Sequence, residues 1–144
     1  MISSAEKGNL PTSALVLENG KVITSSESLV ASNHDQTAHA ERLAVTKMCK
    51  LKKNHYTPGL TMITVVESCL MCLSACSQAG YKENYFIIPA KRYVDKIPWM
   101  TDTEKVDKSL IADQFSSPLK LHQLKEYEEE FCKVFERVYS SFLK

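Results

Sequence analysis

This sequence predicts an α/β layered domain with some parallel strand pairing, and three observations predict it. Two apolar runs flank an Asn-Gly pair near the start. A strand-like run, Thr61 to Val66, leads directly into a helical pattern, and another apolar run, Asn84 to Ile88, follows that helix. Strands that alternate with helices build a sheet covered by helices, because each element has one apolar face to bury against another layer.

The elements follow in chain order. Ser13-Ala-Leu-Val-Leu17 and Lys21-Val-Ile-Thr24 flank Glu18-Asn19-Gly20, and Asn-Gly between apolar runs is a strong hairpin signal because both residues tolerate positive φ. Ala38, Leu43, Ala44, Val45 and Met48 recur at helical spacing, so a helix runs from about Thr37 to Leu51, with Asp35 or Thr37 as its N-cap and His39 in its first turn. Pro58-Gly59 marks a loop before the strand Thr61 to Val66. A second helix then runs from Ser68, its expected N-cap, to about Ala79, and Gly80 stops it. The strand Asn84 to Ile88 ends at Pro89. Beyond Ala90 come Pro98-Trp99, a charged stretch from Asp102 to Lys108, and a long C-terminal helix from about Pro118 to Phe142, within residues 118–144. Tyr127, Phe131, Phe135, Tyr139 and Phe142 recur along it every three or four residues, the pattern of an aromatic stripe packed on a sheet.

Two short motifs carry chemistry. His39-Ala40-Glu41 opens the first long helix, and Cys69-Leu70-Met71-Cys72 opens the second, directly after a strand. Either motif alone is weak; together, each at a helix start, they make a metal site. His39, Cys69 and Cys72 are three zinc-type ligands, and three protein ligands leave an open corner for water, as catalytic zinc sites do. Glu41 is the spare carboxylate, free to move a proton. Helix N-termini favour negative charge and hold cysteines deprotonated, and the first backbone N–H groups, that of Ala40 among them, are donors for a developing oxyanion. The competing arrangement is a closed structural site of three cysteines and His39, completed by Cys76; Cys76 sits a full turn deeper, ~6 Å along the axis. Cys49 and Cys132 read as small core residues, and His34, His55 and His122 as surface residues. The lysines at 47, 50, 52 and 53 complement a helix C-terminus.

Through Asp35-Gln-Thr-Ala-His-Ala-Glu41 and Glu67-Ser-Cys-Leu-Met-Cys72 the chain resembles the zinc-dependent cytidine and nucleobase deaminase superfamily, whose signature is H-x-E followed by P-C-x-x-C. The resemblance runs from about Pro11 to about Ala90 and is strongest to the branch of guanine deaminases and tRNA-specific adenosine deaminases. It implies a cytidine deaminase-like fold, a three-layer α/β/α sandwich with a central mixed five-stranded sheet, in a single domain over residues 1–144. It also implies one Zn2+ per subunit on His39, Cys69 and Cys72, Glu41 as proton shuttle, and a homodimer. Where the family usually has Pro this chain has Ser68. Where its purine-acting members usually carry a base-contacting Asn it has Ser28, the candidate substrate contact, with Asn33 only a loop position nearby. Met1 to Asn9 supply only a short remnant of the family's first helix. In related guanine deaminases the C-terminal segment helps cover the active site, which makes Trp99 or a tail aromatic a candidate lining residue.

Composition then narrows the partners. Net charge is +1, five cysteines in a chain without an export signal argue for thiols and metal over disulfides, and no apolar run is long enough to span a bilayer. A cytoplasmic enzyme with no membrane partner is expected. The near-neutral charge and the acidic tail Lys125-Glu-Tyr-Glu-Glu-Glu130 favour a free nucleobase or nucleoside, guanine first, over RNA. The alternatives are a tRNA adenosine deaminase and a zinc-stabilised interaction domain without catalysis.

Overall fold

The computed structural model describes residues 1–97, 100, 102 and 105–140. In chain order these form α1 (Ile2–Glu6), β1 (Ser13–Glu18), β2 (Lys21–Glu27), α2 (Val30–Asn33), α3 (Ala40–Lys52), β3 (Thr61–Val66), α4 (Leu70–Gln78), β4 (Glu83–Ile88), α5 (Lys108–Asp113), β5 (Lys120–Gln123) and α6 (Glu128–Tyr139). The five strands form one sheet in the order β2-β1-β3-β4-β5. β1 pairs antiparallel with β2 and β3, whereas β3 with β4 and β4 with β5 are parallel, so the sheet is mixed as expected.

Local chemistry explains the well-read elements. Asn19 and Gly20 both have positive φ, 51° and 76°, which is the backbone a tight hairpin turn between twisted strands demands. α4 ends in a Schellman motif: Tyr81 N donates to Cys76 O at 3.0 Å and Gly80 N to Ser77 O at 2.9 Å. Gly80 takes φ +89° to make it.

Two apolar layers sandwich the sheet. On one face Ala40, Ala44 and Met48 of α3, Leu73 and Cys76 of α4 and Ala112 of α5 pack with Val16 and Met62. On the other, Cys132, Phe135 and Tyr139 of α6 pack with Val65, Ile87 and Ile88. Phe135 is fully buried and stacks between Tyr93 and Tyr139, with ring centroids 4.5 and 5.8 Å away. The aromatic stripe is therefore core on that face, except that Tyr127 is exposed. Phe142 lies outside the described residues. Among the described residues no helix is long and apolar enough to cross a membrane.

The long C-terminal helix is the main structural correction. Residues 118–140 begin with strand β5, pass through a 3-10 turn at Lys125–Tyr127, and become helical only at Glu128. The parallel edge of β4 supplies the reason. Its residues Glu83 to Phe86 pair with Lys120 to Gln123, and Tyr85 stacks on His122 at 4.6 Å. Leu119 and Leu121 alternate with period two into the α5 side of the core, a pattern too short to stand out beside a helical one.

Gly80 gives a direct test of this packing. A Cβ there would lie 2.6 Å from Tyr56 Cε2 and 3.0 Å from Pro58 Cα, on a backbone that L side chains rarely adopt. Gly80→Ala is expected to cost about 1–3 kcal/mol, read as a lower urea midpoint at unchanged slope.

Candidate metal centre and active site

Both motif helices start later than their sequence suggested: the first N-cap falls two residues after Thr37 and four after Asp35, and the second one residue after Ser68. The N-cap of α3 is His39, with extended backbone (φ −67°, ψ 148°), and the N-cap of α4 is Cys69 (φ −72°, ψ 167°). Neither side chain caps its own helix. An extended N-cap residue throws its side chain across the helix end, so these two project toward each other. Asp35 and Thr37 are used upstream instead: the Asp35 carboxylate accepts from Thr37 N at 2.8 Å and from its hydroxyl at 2.7 Å, closing the turn that delivers His39.

His39 Nδ1 lies 3.6 Å from Cys69 Sγ and 3.5 Å from Cys72 Sγ, and the three ligand atoms are all within 4.8 Å of one another. A tetrahedral zinc with its usual Zn–S and Zn–N bond lengths sets an N···S edge of about 3.6 Å, so the donor set fits that ion. Cys76 is fully buried in the sheet-facing core and does not join the group, which removes the closed three-cysteine alternative among the described residues.

The charges at this point are strongly coupled. The hydrogen bond from Cys72 and then His39 bring the Cys69 thiol down to about 4, whereas the bond to Cys69 and burial push Cys72 up. His39 is raised, chiefly by its bond to Cys69. A cation is what this arrangement asks for: the two thiols bind it as thiolates, releasing their protons to solvent, and the imidazole binds it in its neutral form. Glu41 is buried beside them, and burial pushes its carboxyl up.

The metal group opens into a cavity of about 150 Å³. His39, Glu41 and Cys69 form its floor, at the C-terminal end of β3 where Thr64 and Val66 also line it. Ser28 is buried on the wall, its backbone fixed by Ser4 Oγ, which donates to Ser28 O at 3.0 Å. Ala40 is buried as the first residue of α3; its N–H belongs to the helix-start donors but the residue does not line the cavity. Asn33 is exposed and away from it. Trp99 lies outside the described residues, while Tyr139 of α6 does line the cavity, so a tail aromatic reaches the site within its own chain.

Among the wall residues that sequence reasoning missed, three bear on the chemistry of the cavity. Asn9 is buried, with its amide Nδ2 donating to Ser32 Oγ at 3.1 Å and its Oδ1 accepting from Ser32 N at 3.0 Å, which ties the first loop to α2. Glu67 and Asp102 add two carboxylates to the wall. Glu67 carried a weak signal, an acidic residue inside the motif stretch. Asp102 carried none, because its place depends on the fold of the segment after β4.

The family model for the cytidine and deoxycytidylate deaminase zinc-binding region matches residues 1–88. The tRNA-specific adenosine deaminase of Aquifex aeolicus (strain VF5) is 34% identical over 67 residues, 46% of this chain and 44% of that protein. The guanine deaminase of Bacillus subtilis (strain 168) is 32% identical over 76 residues, 53% of this chain and 49% of that protein. The chain thus spans about half the length of the curated relatives it matches. A solved guanine deaminase from Nitrosomonas europaea shares the fold, with a TM-score of 0.78 at 16% identity over 96% of this chain and 78% of that one. These relatives correct one expectation, that RNA is disfavoured: several are named for tRNA. The physical reason is that a net charge of +1 sums over all faces and says nothing of how charge is segregated among them.

Purified protein is expected to carry one zinc per chain by elemental analysis. Cys69→Ser, Cys72→Ser and His39→Ala should each lose it, weakening binding by more than the ~10–100-fold typical of changes behind the ligands; Cys76→Ser should keep it.

Proposed function

The chain belongs to the cytidine and deoxycytidylate deaminase zinc-binding family, and from that premise we propose that it hydrolytically removes the exocyclic amine of a nucleobase, with guanine as the first substrate. The observation that carries the reading is the meeting of three metal-ligating side chains and one non-ligating buried carboxylate, Glu41, on the floor of one small cavity. Its volume of about 150 Å³ accommodates a flat ring system.

The roles follow from the placement. His39, Cys69 and Cys72 would hold zinc, which when bound supplies Lewis acidity and an acidified water at neutral pH. Glu41 takes one proton from the attacking water and passes it to the ring nitrogen beside the amine-bearing carbon, then takes the second from the hydroxyl of the adduct and delivers it to the departing amine. Its raised carboxyl, a result of burial, suits a group that must hold a proton between transfers. The helix-start N–H groups of α3, that of Ala40 first, favour the negative charge that develops on the attacking oxygen. Water adds to the ring carbon, the carbon–nitrogen bond breaks, and ammonia leaves behind a ring carbonyl.

The wall supports guanine. Ionised carboxylates only accept hydrogen bonds, and Glu67 and Asp102 face the cavity with no Lys or Arg among its described lining residues. Guanine offers N–H donors on the edge that bears its amine, whereas adenine presents a bare ring nitrogen there. Ser28 adds a short hydroxyl to the same wall, at the place of the Asn usual in purine-acting members. A second reading, adenosine within a tRNA, is favoured by the names of several relatives. A cytoplasmic homodimer completes the proposal; sedimentation of the zinc-loaded protein tests the dimer.

The experiment is ammonia release from guanine, adenine, cytosine and their nucleosides, with adenosine-to-inosine conversion in tRNA measured alongside. Guanine turnover is expected, falling by at least ~10²–10⁴ in Glu41→Ala while zinc is retained. Conversion in tRNA alone would transfer the assignment to the second reading. Silence across the whole panel with zinc in place would leave a zinc-stabilised domain without catalysis, and loss of zinc in Glu41→Ala would make Glu41 a ligand.

A further inference from the structure

We propose that Lys108 is a positioning residue for base selection: its buried ammonium, clamped between Ser68 O, Asp102 and Glu67, holds two carboxylates on the wall of the cavity and ties that wall to the metal loop. The proposal rests on the deaminase reading above and concerns a residue outside the stretch that the family model matches.

The geometry is specific. Lys108 is the first residue of α5, and Asp107 caps that helix by accepting from Leu110 N at 3.1 Å, so the position of Lys108 is set by the helix start. Its side chain is only 5% exposed. A buried ammonium is costly unless it is paired and hydrogen-bonded, and this one is: it donates to Ser68 O at 3.2 Å, pairs directly with the buried Asp102 carboxylate, and lies 3.8 Å from Glu67 Oε1. Two of its three N–H donors have hydrogen-bond acceptors, Ser68 O and the Asp102 carboxylate, and Glu67 adds an ion pair at longer range.

Each partner has a second attachment to the site. Ser68 directly precedes the ligand Cys69, and its hydroxyl accepts from Asn84 Nδ2 at 3.2 Å. Glu67 Oε2 accepts from Ala90 N at 3.0 Å, leaving Oε1 toward Lys108. Glu67 and Asp102 both line the cavity, and Lys108 does not. It therefore acts through them. Two carboxylates facing one small cavity repel each other and turn outward to water unless a cation stands between and behind them. With Lys108 in place they stay on the wall, where the cavity-facing carboxylates meet the N–H donors of a guanine edge, while one positive charge offsets half of their negative charge.

The test compares Lys108→Met, which keeps length and removes charge, with Asp102→Asn and the double variant, following guanine deamination by zinc-loaded protein. Lys108→Met is expected to raise KM for guanine about tenfold or more, the effect of losing a charge-assisted contact, with kcat within about threefold and zinc retained. If Lys108 works through Asp102, its loss should add little in the Asp102→Asn background, a non-additivity that a general loss of stability does not produce. An unchanged KM in Lys108→Met, or full additivity in the double variant, overturns the proposal. Should Lys108→Met fail to fold, Asp102→Asn decides alone: a raised KM supports the clamp and a wild-type KM overturns it. Failure of the deaminase reading is distinct, since the unaltered protein would then release no ammonia, and the clamp's role in selection would fall with it.

Discussion

The structure depends on one convergence: two helices begin at the same point, and each begins with a metal ligand in place of a cap. A Ser or Asp at His39 or Cys69 would satisfy its own helix's first N–H groups. His39 and Cys69 instead turn across the gap, where Cys72, three residues into α4, completes the triangle. The uncapped ends are then two positive helix ends facing a group of thiols, so the local cost of an uncapped helix becomes an electrostatic contribution to the site. Everything that orients α3 and α4 serves this meeting. Ala44 and Met48 seat α3 on the sheet, Leu73 and Cys76 seat α4 beside it, and the Schellman turn at Gly80 fixes where α4 must stop.

The sheet explains why the opening lies where it does. β3 and β4 are parallel, and the crevice beyond the carboxyl ends of parallel strands is where open α/β sheets bind ligands. β3 ends at Val66, Glu67 and Ser68 cross to the helix, and Cys69 starts it. A single short stretch therefore contributes strand wall, acceptor, clamp partner and ligand in four consecutive residues. The buried polar atoms that such a crossing creates are largely satisfied by the Asn84, Ala90 and Lys108 contacts described above, which makes the loop rigid without regular structure.

Legibility in the sequence followed the range of the interactions. The Asn19-Gly20 turn, strand β3 and the Gly80 stop were readable because each is set by a few neighbouring residues. The candidate ligands His39, Cys69 and Cys72 were readable as a group because their spacing is local within each motif, and only their meeting, within 4.8 Å, is long-range. Helix starts were misplaced because Asp35 and Ser68 have the chemistry of caps, while the actual caps are residues whose side chains are committed elsewhere. β5 was hidden because a four-residue strand takes its stability from β4, thirty-odd positions away, not from its own pattern. Asp102 and Lys108 could not be singled out at all: a carboxylate and an ammonium in a charged stretch look like solvated surface until the fold buries them together.

This division has a consequence for how function is distributed. The stretch matched by the family model ends at residue 88, and it contains His39, Glu41, Cys69 and Cys72, the residues proposed here to carry the chemistry. Asp102, Tyr139 and the ammonium of Lys108 come from after that point, yet they complete one side of the same cavity. Similarity to a tRNA-specific adenosine deaminase and to a guanine deaminase coexists at nearly equal identity, 34% and 32%. A base is chosen by the pairing of its edge with groups that cannot rearrange, because a buried acceptor left unpaired penalises the wrong base more than a good contact rewards the right one. Of the groups proposed here for that role, Ser28 and Glu67 lie within the shared stretch and Asp102 lies after it. The wall of the cavity is thus assembled from both parts of the chain, with Asp102 and Tyr139 closing a site whose floor comes from the shared stretch.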